Sequence, residues 1–216
     1  MSVEQYYLKG NEAYESGDWQ QAFHYYEQAW QRGHADATNN LADMYLHGEY
    51  VEKDEQRAFQ LFLVAAKMGV HEAMFTLGVL CEKGLGIVES PEQALFWYKR
   101  AAQQQDLLAL YHLGSIYYEG LLQQQRNISK ALFWYEQAAQ LGHIDAQYNL
   151  GYIFHNQEDG ALHYEKGRYW YEQAASLGDA LSCARLATIY EQGIGVQKSK
   201  QQAMYWAQLA EQYETK

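Results

Sequence analysis

The sequence predicts an all-α protein, a right-handed α/α superhelical solenoid of about six helix-turn-helix units. Three observations carry the prediction. The block Ala94-Leu-Phe-Trp-Tyr-Lys-Arg-Ala-Ala102 recurs as Ala131-Leu-Phe-Trp-Tyr-Glu-Gln-Ala-Ala139 and as Gly167-Arg-Tyr-Trp-Tyr-Glu-Gln-Ala-Ala175, with weaker copies from Ala22, Ala58 and Ala203. The six starts lie 36, 36, 37, 36 and 36 residues apart, a period that marks stacked repeats. A second block precedes it, Ala73-Met-Phe-Thr-Leu-Gly-Val-Leu-Cys-Glu-Lys-Gly84 and Ala109-Leu-Tyr-His-Leu-Gly-Ser-Ile-Tyr-Tyr-Glu-Gly120, with variants from Ala37, Ala146 and Ser182. In both blocks the small and apolar residues fall on one face at helical spacing. Each unit therefore pairs a first helix, A, with a second helix, B.

The units run in order over about 3–34, 35–71, 72–107, 108–144, 145–180 and 181–214, with no linker, as one domain over 1–216. The first has a short loop and carries Gly10, Ala13, Gly17-Asp18, Ala22, Tyr26 and Ala29. The second ends its helix A at Gly48, and Asp54 caps its helix B. The third ends helix A at Gly84, and Ser90-Pro91-Glu92 starts helix B with a capping serine before a first-turn proline. The fourth ends helix A at Gly120. The fifth replaces the glycine-rich loop by His155-Asn-Gln-Glu-Asp-Gly-Ala-Leu-His163, and Gly167 takes the place of the helix B alanine. The sixth ends helix A at Gly193, and Ala207 and Glu211 replace the inner Tyr and Ala, as suits a last helix. Glycines at these helix ends fit left-handed caps, and Gly69, Gly142 and Gly178 mark the turn into the next unit. Short residues such as Leu77-Gly78 and Ala101-Ala102 let helices approach. Trp97, Trp134, Trp170 and Trp206 are read as core, filling the space between units.

Composition narrows the function classes. Lys and Arg number 16 against 27 Asp and Glu, a formal charge of −11. Phosphate binding needs clustered positive charge, so nucleic acid and anionic membrane are excluded as partners and a basic protein surface is favoured. No apolar run reaches the ~18 residues of a membrane span, and no signal peptide is visible, so a cytoplasmic location is expected. Cys81 and Cys183 lie three repeats apart and are read as reduced core residues.

These motifs resemble the Sel-one-like repeat (SLR) family, a relative of the tetratricopeptide repeat. The third unit matches nearly throughout, including Gly84-Leu-Gly86-Ile-Val, and the sixth carries Gly193-Ile-Gly195-Val. The resemblance covers about 35–212. The first unit resembles a tetratricopeptide unit instead, which makes one such unit and five SLR units. The resemblance implies a non-catalytic module that binds a peptide or protein in its concave groove. In bacteria such proteins look like adaptors, regulators or toxin-neutralising inhibitors. Some secreted, cysteine-rich members are linked to β-lactam binding, but this chain lacks their paired cysteines.

By phase with the tetratricopeptide pattern, side chains of helix A off the packing face line that groove. The aromatic centre of this set gives the candidate partner-binding residues: Phe75, Tyr111, Tyr118, Tyr148 and Tyr152, with His155 beside them. Tyr and Phe favour interfaces because they bury area at little entropic cost; packing against the neighbouring helix A is the alternative for some of them. Asp43, Glu82, Glu119 and Glu191 rim the patch and would steer a basic partner.

No catalytic or phosphate-binding motif is present, no cofactor is expected, and the chain is read as a monomer that is not an enzyme. His34, His71 and His143 occupy equivalent turns (GHADA, GVHEA, GHIDA), so their recurrence follows from the repeat rather than from metal binding. The alternative is an enzyme or metal site in the irregular loop, where His155 and His163 flank Glu158 and Asp159. That loop is equally readable as neutral drift. Asn127-Ile-Ser129 matches a glycosylation sequon and is read as a plain loop.

Overall fold

The computed structural model describes residues 1–156 and 163–215. Among these it contains twelve helices and no strand. They form two compact units, Met1–Ala109 and Leu110–Lys216. The first holds α1 (Val3–Glu15), α2 (Trp19–Trp30), α3 (Ala35–His47), α4 (Glu55–Lys67), α5 (His71–Lys83) and α6 (Pro91–Gln103). α7 (Leu107–Glu119) begins in the first unit and runs on in the second. The second holds α8 (Ile128–Gln140), α9 (Ile144–His155), α10 (Tyr164–Ser176), α11 (Ala180–Gln192) and α12 (Lys200–Glu214). Odd-numbered helices are the A helices and even-numbered ones the B helices. In the first unit α1 packs with α2, α3 with α4 and α5 with α6, and α2–α3 and α4–α5 join successive pairs. In the second unit α8, α9, α10 and α11 each pack on the helix that follows.

Local chemistry sets the helix starts. Asp18, Asp54, Ser90, Asn127 and Ser199 each accept a backbone N–H three residues on, and so cap α2, α4, α6, α8 and α12. Each cap satisfies a donor that the first helical turn cannot. Ser2 and Gln5 close a reciprocal capping box at α1. α3, α5 and α11 end at Gly48, Gly84 and Gly193 in the left-handed conformation, as their sequence predicts.

The core differs from the expectation in one respect. The large side chains that fill it are tyrosines, not tryptophans. Tyr26, Tyr98, Tyr135 and Tyr171, with Phe62, are among the largest fully buried side chains, while Trp97, Trp134 and Trp170 are only half-buried. The reason lies on the opposite helix of each pair. A Cβ on Gly10 would stand 2.5 Å from the ring of Tyr26, one on Gly78 2.5 Å from that of Tyr98, and one on Gly151 2.6 Å from that of Tyr171. Gly114 faces Tyr135 in the same way. The helix A glycine therefore makes room for a ring. Where helix B carries the smaller Phe62, helix A carries Ala42; where it carries Ala207, helix A carries Ala187. Volume is shared across the pair, as interior packing density requires.

A second set of glycines forms the joints between repeats. Gly86 has φ 70° and lies so close to α4 that an added Cβ would collide with the carbonyl of Glu55. Gly195, with φ 65°, meets Tyr164 at the start of α10 in the same manner. The loop after each of these A helices is thus pressed onto the first turn of the preceding B helix. Cys81 and Cys183 are free and buried, and burial pushes both thiols up, that of Cys183 to about 11.

Candidate partner-binding site

The phenol groups of the core tyrosines reach across to polar side chains of the A helices. Tyr26 donates to Asn11 Oδ1 at 2.9 Å, and Asn40 of the next A helix donates to the same oxygen at 3.3 Å. Tyr98 donates to Glu82 Oε2 at 2.6 Å. Tyr135 Oη and Ser115 Oγ pair at 3.1 Å, and Asn149 of the next A helix lines the same hollow as Tyr135. Burial raises all of these phenols, Tyr26 to about 12, so they stay protonated.

In the second unit, Tyr118, Tyr148 and Tyr152 converge. With Tyr135, Asn149 and Ile153 they line one hollow of about 180 Å³. Tyr118 also carries the Arg126 guanidinium over its ring at 5.2 Å. His155, the last residue of α9, sits 5.4 Å from the ring of Tyr164 and 6.2 Å from that of Tyr171. Its pKa is lowered, first by burial and then by the Arg185 charge. Arg185, from α11, lies close enough to Tyr148, Tyr171 and Tyr152 for its charge to act on them.

Two further candidates have structural ties. Tyr111 is half-buried, stacked on His143 at 4.3 Å and 12°, with the ring of Tyr135 at 5.7 Å. Tyr7 and His34 repeat that stack at 4.3 Å. His34 and His143 also cap α3 and α9 through Nδ1. His71 is not their equivalent. Val70 holds the cap position, so His71 stands one residue later and pairs with buried Asp106 at 2.9 Å. The extra residue in Gly69-Val70-His71 hides this shift from the motif. Phe75 lies in the first unit, half-buried, with the Tyr98 ring at 5.5 Å.

The first unit has its own polar hollow, lined by Tyr14, Tyr26, Asn40, Asp43, His47 and Glu49. Tyr14 donates to Glu49 Oε1 at 3.2 Å, and Asn39 to Asp43 at 3.3 Å. Burial pushes Asp43 up to about 6, with the Glu49 charge adding to the rise and His47 opposing it. A carboxyl raised in the fold stabilises it below the ordinary carboxylate range and loses that contribution as pH rises through about 6. Replacing Asp43 by Asn is expected to flatten the loss between about pH 4 and 6, leaving the variant more stable at pH 7 by on the order of 1 kcal/mol. Denaturation midpoints of both proteins across that range check it. Equal slopes would remove Asp43 as the cause.

Glu158 and Asp159 of the proposed loop cluster lie outside the described residues. Among the described residues no three His, Cys, Asp or Glu side chains gather as a metal would require, and no helix is long and apolar enough to cross a membrane. The sequence reading missed Arg185 and the involvement of Tyr171. The available signal was position. Arg185 is in register with Asn40, Thr76, His112 and Asn149 on the A helices, and it alone among them carries a permanent charge.

Comparison with known proteins fits this architecture. The Sel1 repeat model matches residues 5–34, 35–70, 71–106, 107–143, 144–179 and 180–212. It takes in the first unit as well, whose Gly10–Tyr26 pair reproduces the glycine–tyrosine packing of the others. A Sel1 repeat protein from Oxalobacter formigenes is 29% identical, covers 96% of this chain and 85% of its own, and superposes with a TM-score of 0.87. The chitin synthase regulator SKT5 of Saccharomyces cerevisiae is 40% identical over 113 residues, which are 51% of this chain and 16% of that regulator. This chain thus spans about a sixth of that relative. An immunity protein of Pseudomonas aeruginosa is 21% identical, with a TM-score of 0.53 over 95% of this chain and 82% of its own, and shares the fold.

Proposed function

This chain belongs to the Sel1 repeat family, and on that premise we propose that it is a non-catalytic module that binds a protein partner through the A-helix face of its second unit. The observation that carries the reading is the gathering of Tyr118, Tyr148 and Tyr152 around one hollow. Half-buried tyrosines supply area and hydrogen-bonding groups together, as binding hot spots do. A relative named as a regulator of another enzyme supports a role exerted on a partner. In the first unit, Asn39 Oδ1 and Glu49 Oε2 are buried acceptors without a donor among the described residues. Beside Asp43 they favour a basic side chain of the partner there.

Affinity capture with the full chain identifies the partner, and a double variant tests the face. Tyr118→Ala with Tyr152→Ala is the suitable pair, because Tyr111 is tied into the His143 stack. The pair is expected to weaken binding at least tenfold, about 1.4 kcal/mol, with helicity by circular dichroism unchanged. Unchanged affinity in a folded double variant would show that the partner uses another surface.

A further inference from the structure

The B helices of the first five repeats present a ring to their A helix: Tyr26, Phe62, Tyr98, Tyr135 and Tyr171. The sixth presents Ala207, opposite Ala187. Setting alanine where Gly78 stands in the third repeat adds one methyl group, which fills only part of the place of a lost ring. The rest stays open. Ala187 and Ala207 line a hollow of about 500 Å³, a size typical of small-ligand sites, which run to about 300–1,000 Å³.

The polar partner of the lost ring has been kept. In the third repeat Glu82 lies one helical turn after Gly78, and Tyr98 donates its hydroxyl to Glu82 Oε2 at 2.6 Å. Glu191 holds the same register after Ala187 and lines the hollow. Where helix B carries Phe62, which has no hydroxyl, that register holds Leu46. The carboxylate thus accompanies a phenol in the third repeat, is replaced where the ring has nothing to donate, and stands without a phenol in the sixth. Glu191 is exposed, so a hydroxyl from outside can reach it.

Charge narrows what can enter. Lys198, in the loop before α12, and Lys200, its first residue, line the same hollow. Two cations there disfavour a basic side chain, and the carboxylate of Glu191 disfavours an acidic one. A phenol suits both conditions, since it offers one O–H and stays uncharged up to a pKa of about 10.

We propose that this hollow is a socket for a tyrosine side chain of the protein partner, with its ring between Ala187 and Ala207 and its hydroxyl donating to Glu191. The arrangement is that of Tyr98 on Gly78 and Glu82, with the ring supplied by a second protein. The proposal rests on the partner-binding reading above and names one side chain of that partner.

The test needs no natural partner. The full chain is titrated with acetyl-Ala-Tyr-Ala-amide, acetyl-Ala-Phe-Ala-amide and acetyl-Ala-phosphotyrosine-Ala-amide, following the methyl resonances of Ala187, Met204 and Ala207. The Tyr peptide is expected to bind saturably, at least about fivefold tighter than either of the others, the scale of one hydrogen bond to a charged acceptor. Glu191→Leu, at an exposed position, is expected to erase the preference for Tyr over Phe. Ala187→Gly combined with Ala207→Tyr rebuilds the pair within the chain, and is expected to remove peptide binding without loss of thermal stability. No saturable binding of the Tyr peptide, equal or tighter binding of either other peptide, or an unchanged preference in Glu191→Leu would overturn the socket. If the three resonances shift with protein concentration alone, and the rebuilt pair abolishes that shift, a tyrosine of a second copy fills the socket and the partner claim is overturned. Failure of the Tyr peptide with partner binding still lost in the Tyr118/Tyr152 variant removes the socket and leaves the binding face standing. A Tyr peptide that binds as expected, with partner affinity intact in that variant, does the reverse.

Discussion

Gly86→Ala is expected to destabilise the protein by at least about 3 kcal/mol, on the scale of losing a large core side chain. Two costs combine. The backbone at Gly86 has φ 70°, a region that costs an L-residue about 1–2 kcal/mol. The added methyl also meets the Glu55 carbonyl and the backbone behind it. Overpacking usually costs about 1–3 kcal/mol where side chains can yield, and here a helix start must move instead. That start is pinned, because Asp54 caps α4 through the amide of Arg57 at 2.8 Å. Gly17 separates the two costs. It has φ 79°, and a Cβ there would meet nothing within 4 Å, so Gly17→Ala carries the strain without the collision and is expected to cost only about 1–2 kcal/mol. Urea unfolding of both variants reads the difference as a fall in midpoint with similar slope. If Gly86→Ala proves as mild as Gly17→Ala, the loop is not pressed onto α4 and the joint between these repeats must be assigned elsewhere.

The helix starts and stops were legible because they are local. Ser90-Pro91, Asp54 and the glycine at Gly84 each act on a backbone within a few residues, so their chemistry can be read from neighbours in the chain. The exchange of tryptophan for tyrosine in the core was not local. Trp97 and Tyr98 both fall on the inner side of α6 by helical phase, and only Gly78 on the facing helix decides which ring enters. That information is a pairing between positions about twenty residues apart. It becomes visible when Gly10–Tyr26, Ala42–Phe62 and Ala187–Ala207 are set beside it. The same limit hid the setting of Tyr171, whose hydroxyl has no hydrogen-bond partner among the described residues. Tyr171 looks like every other core tyrosine until its missing partner is noticed. Gln105 shows where even local rules fail: it holds φ 60° in a turn where the other repeats use Gly33, Gly69, Gly142 and Gly178.

The pairing itself predicts a reversal of sign. Gly114→Ala alone is expected to cost about 3 kcal/mol, the upper part of the overpacking range. Its Cβ would stand 2.5 Å from Cε1 of Tyr135 and nearer still to Cδ1, and the ring is held by its bond to Ser115 at 3.1 Å. Tyr135→Ala alone is expected to cost about 3–5 kcal/mol through the cavity it leaves. Combined, the two should not add. With the ring gone, the new methyl fills part of the cavity, and alanine gains about 1 kcal/mol over glycine inside a helix. Gly114→Ala should then be neutral or stabilising, giving a coupling energy of about 3–4 kcal/mol in the double-mutant cycle. The protein already contains the end point of this change, since the sixth repeat pairs Ala187 with Ala207. Additive losses would mean that Gly114 is required for close approach of the helix backbones, and that the tyrosine merely occupies a space left for other reasons. A cycle that couples strongly makes glycine and tyrosine one structural unit repeated along the chain, which is why the repeat can exchange Gly–Tyr for Ala–Phe or Ala–Ala but does not combine glycine with a small partner.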